Sequence, residues 1–198
     1  MTFEFRRFRL RLCFSFFALL SLMLLCGGGT VALLCFCSSL LHECGHLFFL
    51  WLFHVDVKLI SVGAGGILIE RRDGGFCGSR TECLIALGGI LVNLVLCGVF
   101  LLWYAVAKNR ICGVLCVVNG ALAVLNLLPV RTLDCYRVLE LLLYCRKLEK
   151  AGRVLRRVSF CAACLSCGVC VCLFCCGRGN PSFAAVCVYL MLLHWKTE

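Results

Sequence analysis

The sequence predicts an all-α membrane protein, a polytopic bundle of about six transmembrane helices, and three observations lead there. Of 198 residues, 63% are apolar and only 15% are charged, with a mean hydropathy of +1.02, a balance too greasy for a soluble domain of this size. Several apolar runs approach or exceed the roughly 20 residues that cross the hydrocarbon as a helix. The basic residues collect on alternate connections between those runs, as they do when the cytoplasmic side retains positive charge.

The expected spans are 12 to 26, 31 to 53, 83 to 107, 111 to 128, 159 to 176 and 183 to 194, with an interrupted apolar stretch from 133 to 145. They fill the chain, so residues 1 to 198 read as a single membrane-embedded domain whose chemistry rests on the helices and their connections. Arg6, Arg7, Arg9 and Arg11 ahead of the run from Leu12 to Cys26 look superficially like a secretory signal. A cleaved signal places small residues at −3 and −1 before a polar start. Here Gly27 to Thr30 leads straight into another apolar run, so a retained first span is expected.

If the arginine-rich end is cytoplasmic, so are residues 54 to 82, 129 to 158 and the tail after 194. These segments hold 17 of the 20 lysines and arginines, and only Lys108, Arg110 and Arg178 fall outside. An even number of spans with both termini inside follows. The +10 charge is then an orientation signal and an attraction to anionic lipid. Nucleic-acid binding finds no support, because the basic residues flank spans and form no patch with interleaved aromatics. Trp51, Trp103 and Trp195 sit where interfacial anchors belong, and His54 and His194 at span ends read the same way.

Twenty cysteines would suggest a disulfide framework in a small secreted chain. Most here lie inside apolar runs, where cysteine behaves as a small hydrophobe. Cys161, Cys164, Cys167 and Cys170 step by three, but an iron–sulfur pattern needs a longer last gap and a following proline. A helix face of small residues accounts for the spacing.

The chemistry concentrates at His42-Glu43-Cys44-Gly45-His46, inside the run from Val31 to Phe53. Positions i and i+4 share a helix face, so both imidazoles can reach one zinc ion, with Glu43 beside them as a base. Two histidines and a glutamate cost several kcal/mol in hydrocarbon unless paired, ligated or watered, which marks the cluster as functional. A catalytic site of this kind also takes a carboxylate. Asp56, Glu70, Asp73 and Glu82 all lie in the polar connection after the second span. Asp134 follows Asn126-Leu127-Leu128-Pro129, where proline removes a backbone donor and disfavours helix at Leu128, opening a break that can swing a carboxylate inward. Such irregular backbone is tolerated at depth only when buried in protein or lining a watered cavity. Glu140 is the competing third ligand, although it lies in the helical pattern after the break and can pair with Arg137.

These motifs resemble those of the site-2 protease family of intramembrane zinc metalloproteases. His42-Glu43-Cys44-Gly45-His46 and Asn126-Leu127-Leu128-Pro129 with Leu133-Asp134 look like its first and last signatures, and Ala86-Leu87-Gly88-Gly89-Ile90-Leu91-Val92-Asn93 is similar to the small-residue turn between them. The resemblance spans roughly residues 12 to 145. The short connection between the first two spans and the small total length look most like the bacterial branch containing the sporulation protease that activates a sigma-factor precursor, which implies a bacterial cytoplasmic membrane.

The resemblance implies one catalytic Zn2+ on His42, His46 and Asp134, with Glu43 activating water. It implies substrate-facing roles for Asn126 and Asn93, for which a polar contact between spans is the alternative. Ser61 to Gly66 matches the position of a membrane-dipping hairpin, expected near residues 57 to 70, whose Gly65 and Gly66 would let an edge strand approach an extended substrate. Three positions depart from the family pattern: Gly89 for a proline, Cys135 for the glycine after the aspartate, and Arg131-Thr132 for a more apolar pair. No appended nucleotide-sensing or peptide-binding module is visible.

The expected reaction is peptide-bond hydrolysis in a membrane-spanning or membrane-associated protein, such as a transcription-factor precursor or its regulator, with a membrane-embedded regulator as a further partner. A substrate helix must unwind locally, because its carbonyls are occupied. The competing readings are another metalloprotease group with Glu140 as ligand, a non-catalytic zinc-binding or transport protein, and an inactive relative of the proteases.

Overall fold

In the computed structural model of the chain, residues 2–4, 9–12, 29–63, 66–71, 78–131, 133–145 and 149–175 are described. Five helices carry these residues: α1 (Gly29–Leu52), α2 (Ser79–Ala107), α3 (Arg110–Asn126), α4 (Asp134–Cys145) and α5 (Glu149–Cys175). Four strands join them: β1 (Thr2–Glu4), β2 (Arg9–Leu12), β3 (Val57–Gly63) and β4 (Gly66–Arg71). Two compact units divide the chain, Met1–Val124 and Leu125–Glu198.

In the first unit, α1 and α2 coincide with the second and third expected spans. At about 1.5 Å per residue their 24 and 29 residues rise about 36 and 43 Å, more than the ~30 Å hydrocarbon thickness. Both are long and apolar enough to cross a membrane. Only 22% of the most apolar window of α1 and 33% of that of α2 is buried by protein, whereas the core helix of a soluble domain would be mostly covered. Leu94, Val95, Val99, Leu102 and Trp103 all stand exposed along α2, as lipid-facing side chains do.

A short hairpin joins α2 to α3. Lys108 closes α2 in the left-handed conformation, φ 51°, donating its backbone N–H to the Tyr104 carbonyl at 2.9 Å, and its ammonium lies 5.8 Å from the Tyr104 ring centroid. Asn109 Oδ1 then accepts the Ile111 N–H at 2.9 Å, satisfying a donor of the first turn of α3. Further along α3, buried Asn119 donates to Ser38 Oγ on α1 at 3.2 Å and to the Leu115 carbonyl at 2.8 Å. Such interhelical amide bonds hold helices together in lipid at about 0.6–2 kcal/mol each.

Helices α1 and α2 pack backbone to backbone. A Cβ built on Gly45 would stand 2.5 Å from the Gly88 carbonyl oxygen, and one on Gly88 would stand 2.7 Å from that of Gly45. The small-residue seam is therefore a requirement of the crossing.

The sheet runs in the order β1-β2-β3-β4. The hairpin expected near 57 to 70 is present as antiparallel β3 and β4, with Ile60 opposite Ile69 and Gly63 opposite Gly66. Strands β1 and β2 were not expected. β2 pairs parallel with β3, Arg9 beside Leu59 and Leu12 beside Val62, so residue 12 belongs to a strand and not to a first span. Residues 13–28, which hold the rest of that expected span, lie outside the described residues, as does the expected sixth span at 183–194.

In the second unit the helix break near Pro129 is present. Backbone bonds from Leu128 N–H to the Leu125 carbonyl, Val130 to Leu128 and Leu133 to Val130 turn the chain tightly between α3 and α4. α5 begins at Glu149, ten residues ahead of the expected fifth span. Its first turns carry Glu149, Lys150, Arg153, Arg156 and Arg157, charges that broke the apolar run without breaking the helix.

Candidate metal centre

His42 and His46 lie one turn apart on α1, as their spacing requires, and their Nε2 atoms face each other at 3.3 Å. Tetrahedral ligation at about 2.0–2.1 Å separates two imidazole nitrogens by roughly 3.3 Å, so the pair has the bite of a shared cation. The ring planes stand at 81°, with centroids 5.0 Å apart, so the two nitrogens converge without the rings stacking.

Helix α2 holds both rings from behind. His46 Nδ1 donates to the Ile85 carbonyl at 2.8 Å, which puts the ring's lone pair on Nε2, the nitrogen that would face a cation. His42 Nδ1 lies 2.9 Å from Asn93 Nδ2, and both residues are buried, Asn93 completely. Gly89 supplies the room. A Cβ there would stand 2.5 Å from His42 Cε1 and Nε2 and 2.6 Å from His46 Nε2. The departure from the usual proline is thus fitted to the site, because any side chain at 89 would occupy the space of the two rings. Glu43 is half-buried on the next position after His42, about 100° round the helix.

Asp134 is the first residue of α4, directly after the break. An N-terminal turn favours a carboxylate by its unpaired N–H groups and dipole, and Asp134 Oδ2 is fully buried. The loop ahead of it is anchored by α5: buried Ser159 Oγ accepts the Arg131 N–H at 2.8 Å. Cys135 takes ordinary helical angles, since His54 and Lys108 alone among the described non-glycine residues have positive φ. A glycine at 135 is therefore not needed for conformation. Burial pushes the Cys135 thiol up, and the Asp134 charge adds to the effect. Glu140 is exposed on α4.

Of the remaining expected site residues, Asn126 ends α3, half-buried. Gly66 opens β4, and Gly65 lies outside the described residues. The Ile85 carbonyl and Ser159 were not foreseen as parts of the site; neither belongs to a motif, and no residue pattern announces a backbone acceptor. Within the first unit the imidazoles of His42 and His46 converge on one point, and within the second unit Asp134 presents a buried carboxylate oxygen at the start of α4.

Removing the Ser159 hydroxyl should loosen the turn that leads to Asp134. Ser159→Ala is expected to lower stability by about 1 kcal/mol, read as a drop of a few degrees in the midpoint of thermal unfolding in detergent. An unchanged midpoint would show that the turn holds itself.

By fold, the chain is similar to a solved site-2 protease. The match is to the Site-2 Protease from Methanocaldococcus jannaschii, with a TM-score of 0.64 and 18% sequence identity, over 99% of this chain and 94% of that one. No family model matches the sequence, and no curated protein matches it. The likeness is one of fold, and it agrees with the resemblance carried by the three motifs.

Proposed function

We propose that this chain is an intramembrane zinc metalloprotease that hydrolyses peptide bonds of membrane-spanning or membrane-associated proteins. The pair of Nε2 atoms 3.3 Å apart, each ring held from behind by α2, is the observation that carries this reading. His42, His46 and Asp134 would hold the ion through two nitrogens and an oxygen, the donor set of a catalytic site with a position left for water or substrate. When bound, zinc supplies the Lewis acidity that polarises the scissile carbonyl and makes water a stronger acid.

Glu43 then acts as general base, taking the proton of the attacking water, and as general acid, returning it to the leaving amine. Among the described residues β4 is an edge strand, to which an extended substrate can add as a further strand, with Gly66 at its start allowing close approach. Asn126 would meet the substrate backbone at the end of α3. The parallel pairing of β2 with β3 supports a topology in which the N-terminal segment and residues 57–63 share one side, cytoplasmic by charge. The narrower kinship with the sporulation branch rests on the short first connection and the chain length, and a membrane-embedded regulator belongs to that narrower reading.

The test is metal content and cleavage together. Purified in detergent, the chain should carry one zinc, and co-expression with a library of tagged single-span proteins should give shortened products. Asp134→Asn should weaken zinc binding by more than about 100-fold, since losing a ligand exceeds the 10–100-fold cost of losing a ligand's supporting partner. Glu140→Gln should leave binding intact. The opposite pattern would make Glu140 the third ligand, and a wild type without zinc would end the proposal.

A further inference from the structure

One chain of contacts crosses the two histidines. Asn93 Nδ2 stands 2.9 Å from His42 Nδ1, His42 Nε2 stands 3.3 Å from His46 Nε2, and His46 Nδ1 stands 2.8 Å from the Ile85 carbonyl oxygen. With each neutral ring carrying one proton, a single direction satisfies every link. Asn93 donates to His42, His42 donates through Nε2 to His46, and His46 donates through Nδ1 to Ile85. In that arrangement His42 keeps its proton on the nitrogen that should face a cation.

Metal ligation reverses the demand at one ring only. His46 already offers an Nε2 lone pair. His42 must move its proton from Nε2 to Nδ1, and an Nδ1–H then confronts the Asn93 NH2, donor against donor. The acceptor that would resolve this belongs to the same side chain. Asn93 Oδ1 is buried with no hydrogen-bond partner among the described residues, and Asn93 itself is 0% exposed. Rotating the amide by half a turn exchanges oxygen and nitrogen in nearly the same volume.

We propose that Asn93 is a positioning residue that selects the metal-binding form of His42, its buried side-chain oxygen turning to accept the His42 Nδ1–H while Nε2 takes the ion. This rests on the metalloprotease reading and assigns Asn93 to the ligand instead of the substrate. Metal-ligating imidazoles are held by an acceptor on the far nitrogen, and removing that acceptor costs about 10–100-fold in metal affinity. Here the acceptor is an amide, which serves both proton arrangements of the ring, whereas a carboxylate would serve one.

Asn93→Asp and Asn93→Leu separate these roles. Aspartate can accept from Nδ1–H but cannot donate to a bare Nδ1, and leucine can do neither. The probe is cobalt(II), titrated into the detergent-purified full chain after chelation. Visible d–d bands without thiolate charge transfer distinguish this site from adventitious binding by the 20 cysteines. Asn93→Asp should bind within about threefold of wild type or tighter, and Asn93→Leu about 10–100-fold more weakly. Equal weakening in both variants would overturn the proposal, since a packing role predicts that result.

Should Asn93→Leu fail to fold, nitrogen-15 spectra of the wild type decide the matter, with only four histidines to assign. The His42 proton should lie on Nε2 after chelation and on Nδ1 with zinc, and a proton on Nδ1 in both samples would overturn the proposal. If the wild type takes up neither cobalt nor zinc, the metalloprotease reading falls first. If it binds metal and the variants do not divide as stated, only the role of Asn93 falls.

Discussion

Glu43→Gln is expected to slow peptide-bond cleavage by about 100- to 10,000-fold, the range general acid–base catalysis supplies, while zinc content stays at the wild-type level. Glutamine matches glutamate in shape and hydrogen-bonding reach but cannot take a proton from water at neutral pH. Glu43 is not one of the three residues proposed to hold the ion, so the substitution should spare it. A zinc transporter or a storage protein has no need of a base beside its ligands, and in either the variant would behave as wild type. An inactive protease relative would show no shortened products even before substitution. The measurement is single-turnover cleavage of a substrate found in the co-expression screen, alongside metal analysis of the same preparations. Matching rates for the two proteins would remove Glu43 from the mechanism.

Gly89→Ala should be nearly as damaging, by another route. The added methyl would arrive 2.5 Å from two atoms of the His42 ring and 2.6 Å from His46 Nε2, well inside van der Waals contact. The rings have little freedom to withdraw, being tied to Asn93 and to the Ile85 carbonyl. Overpacking of this kind costs about 1–3 kcal/mol, and here the distortion falls on the ligands. Zinc affinity should drop by about 10–100-fold, by the measure of a displaced ligand partner, with cleavage falling in step. Gly98→Ala is the control. It lies on the same helix, nothing stands within 4 Å of its Cβ, and alanine favours helix over glycine by about 1 kcal/mol. Equal metal affinity in the two variants would show that α1 yields where Gly89 and the rings meet.

Composition and spacing made the long elements legible. Helices α1 and α2 follow from uninterrupted apolar runs, and the break before Asp134 follows from proline geometry at Leu128 and Pro129. The histidine pair is readable because i and i+4 share a helix face whatever the helix packs against. Other features depend on how one segment meets another, which no local pattern encodes. The parallel pairing of Arg9–Leu12 with Leu59–Val62 joins segments 50 positions apart. Asn93 behind His42 requires the register of α2 against α1. Gly89 read as a departure from a motif, and only the approach of two rings gives it a purpose. The early start of α5 was hidden for a different reason, since charged turns interrupt a hydropathy run without interrupting a helix.

In the proposed protease, the seam between α1 and α2 would constrain how a substrate reaches the histidines. Where the Gly45 and Gly88 main chains touch, even a methyl group is excluded on either side, so a polypeptide cannot be threaded between these two rods without prying them apart. Parting them would also carry His42 and His46 away from the Asn93 and Ile85 atoms that brace them. A doorway for an incoming chain would therefore lie on another flank of α1, and the wall that closes this flank is the one that keeps the histidines aimed.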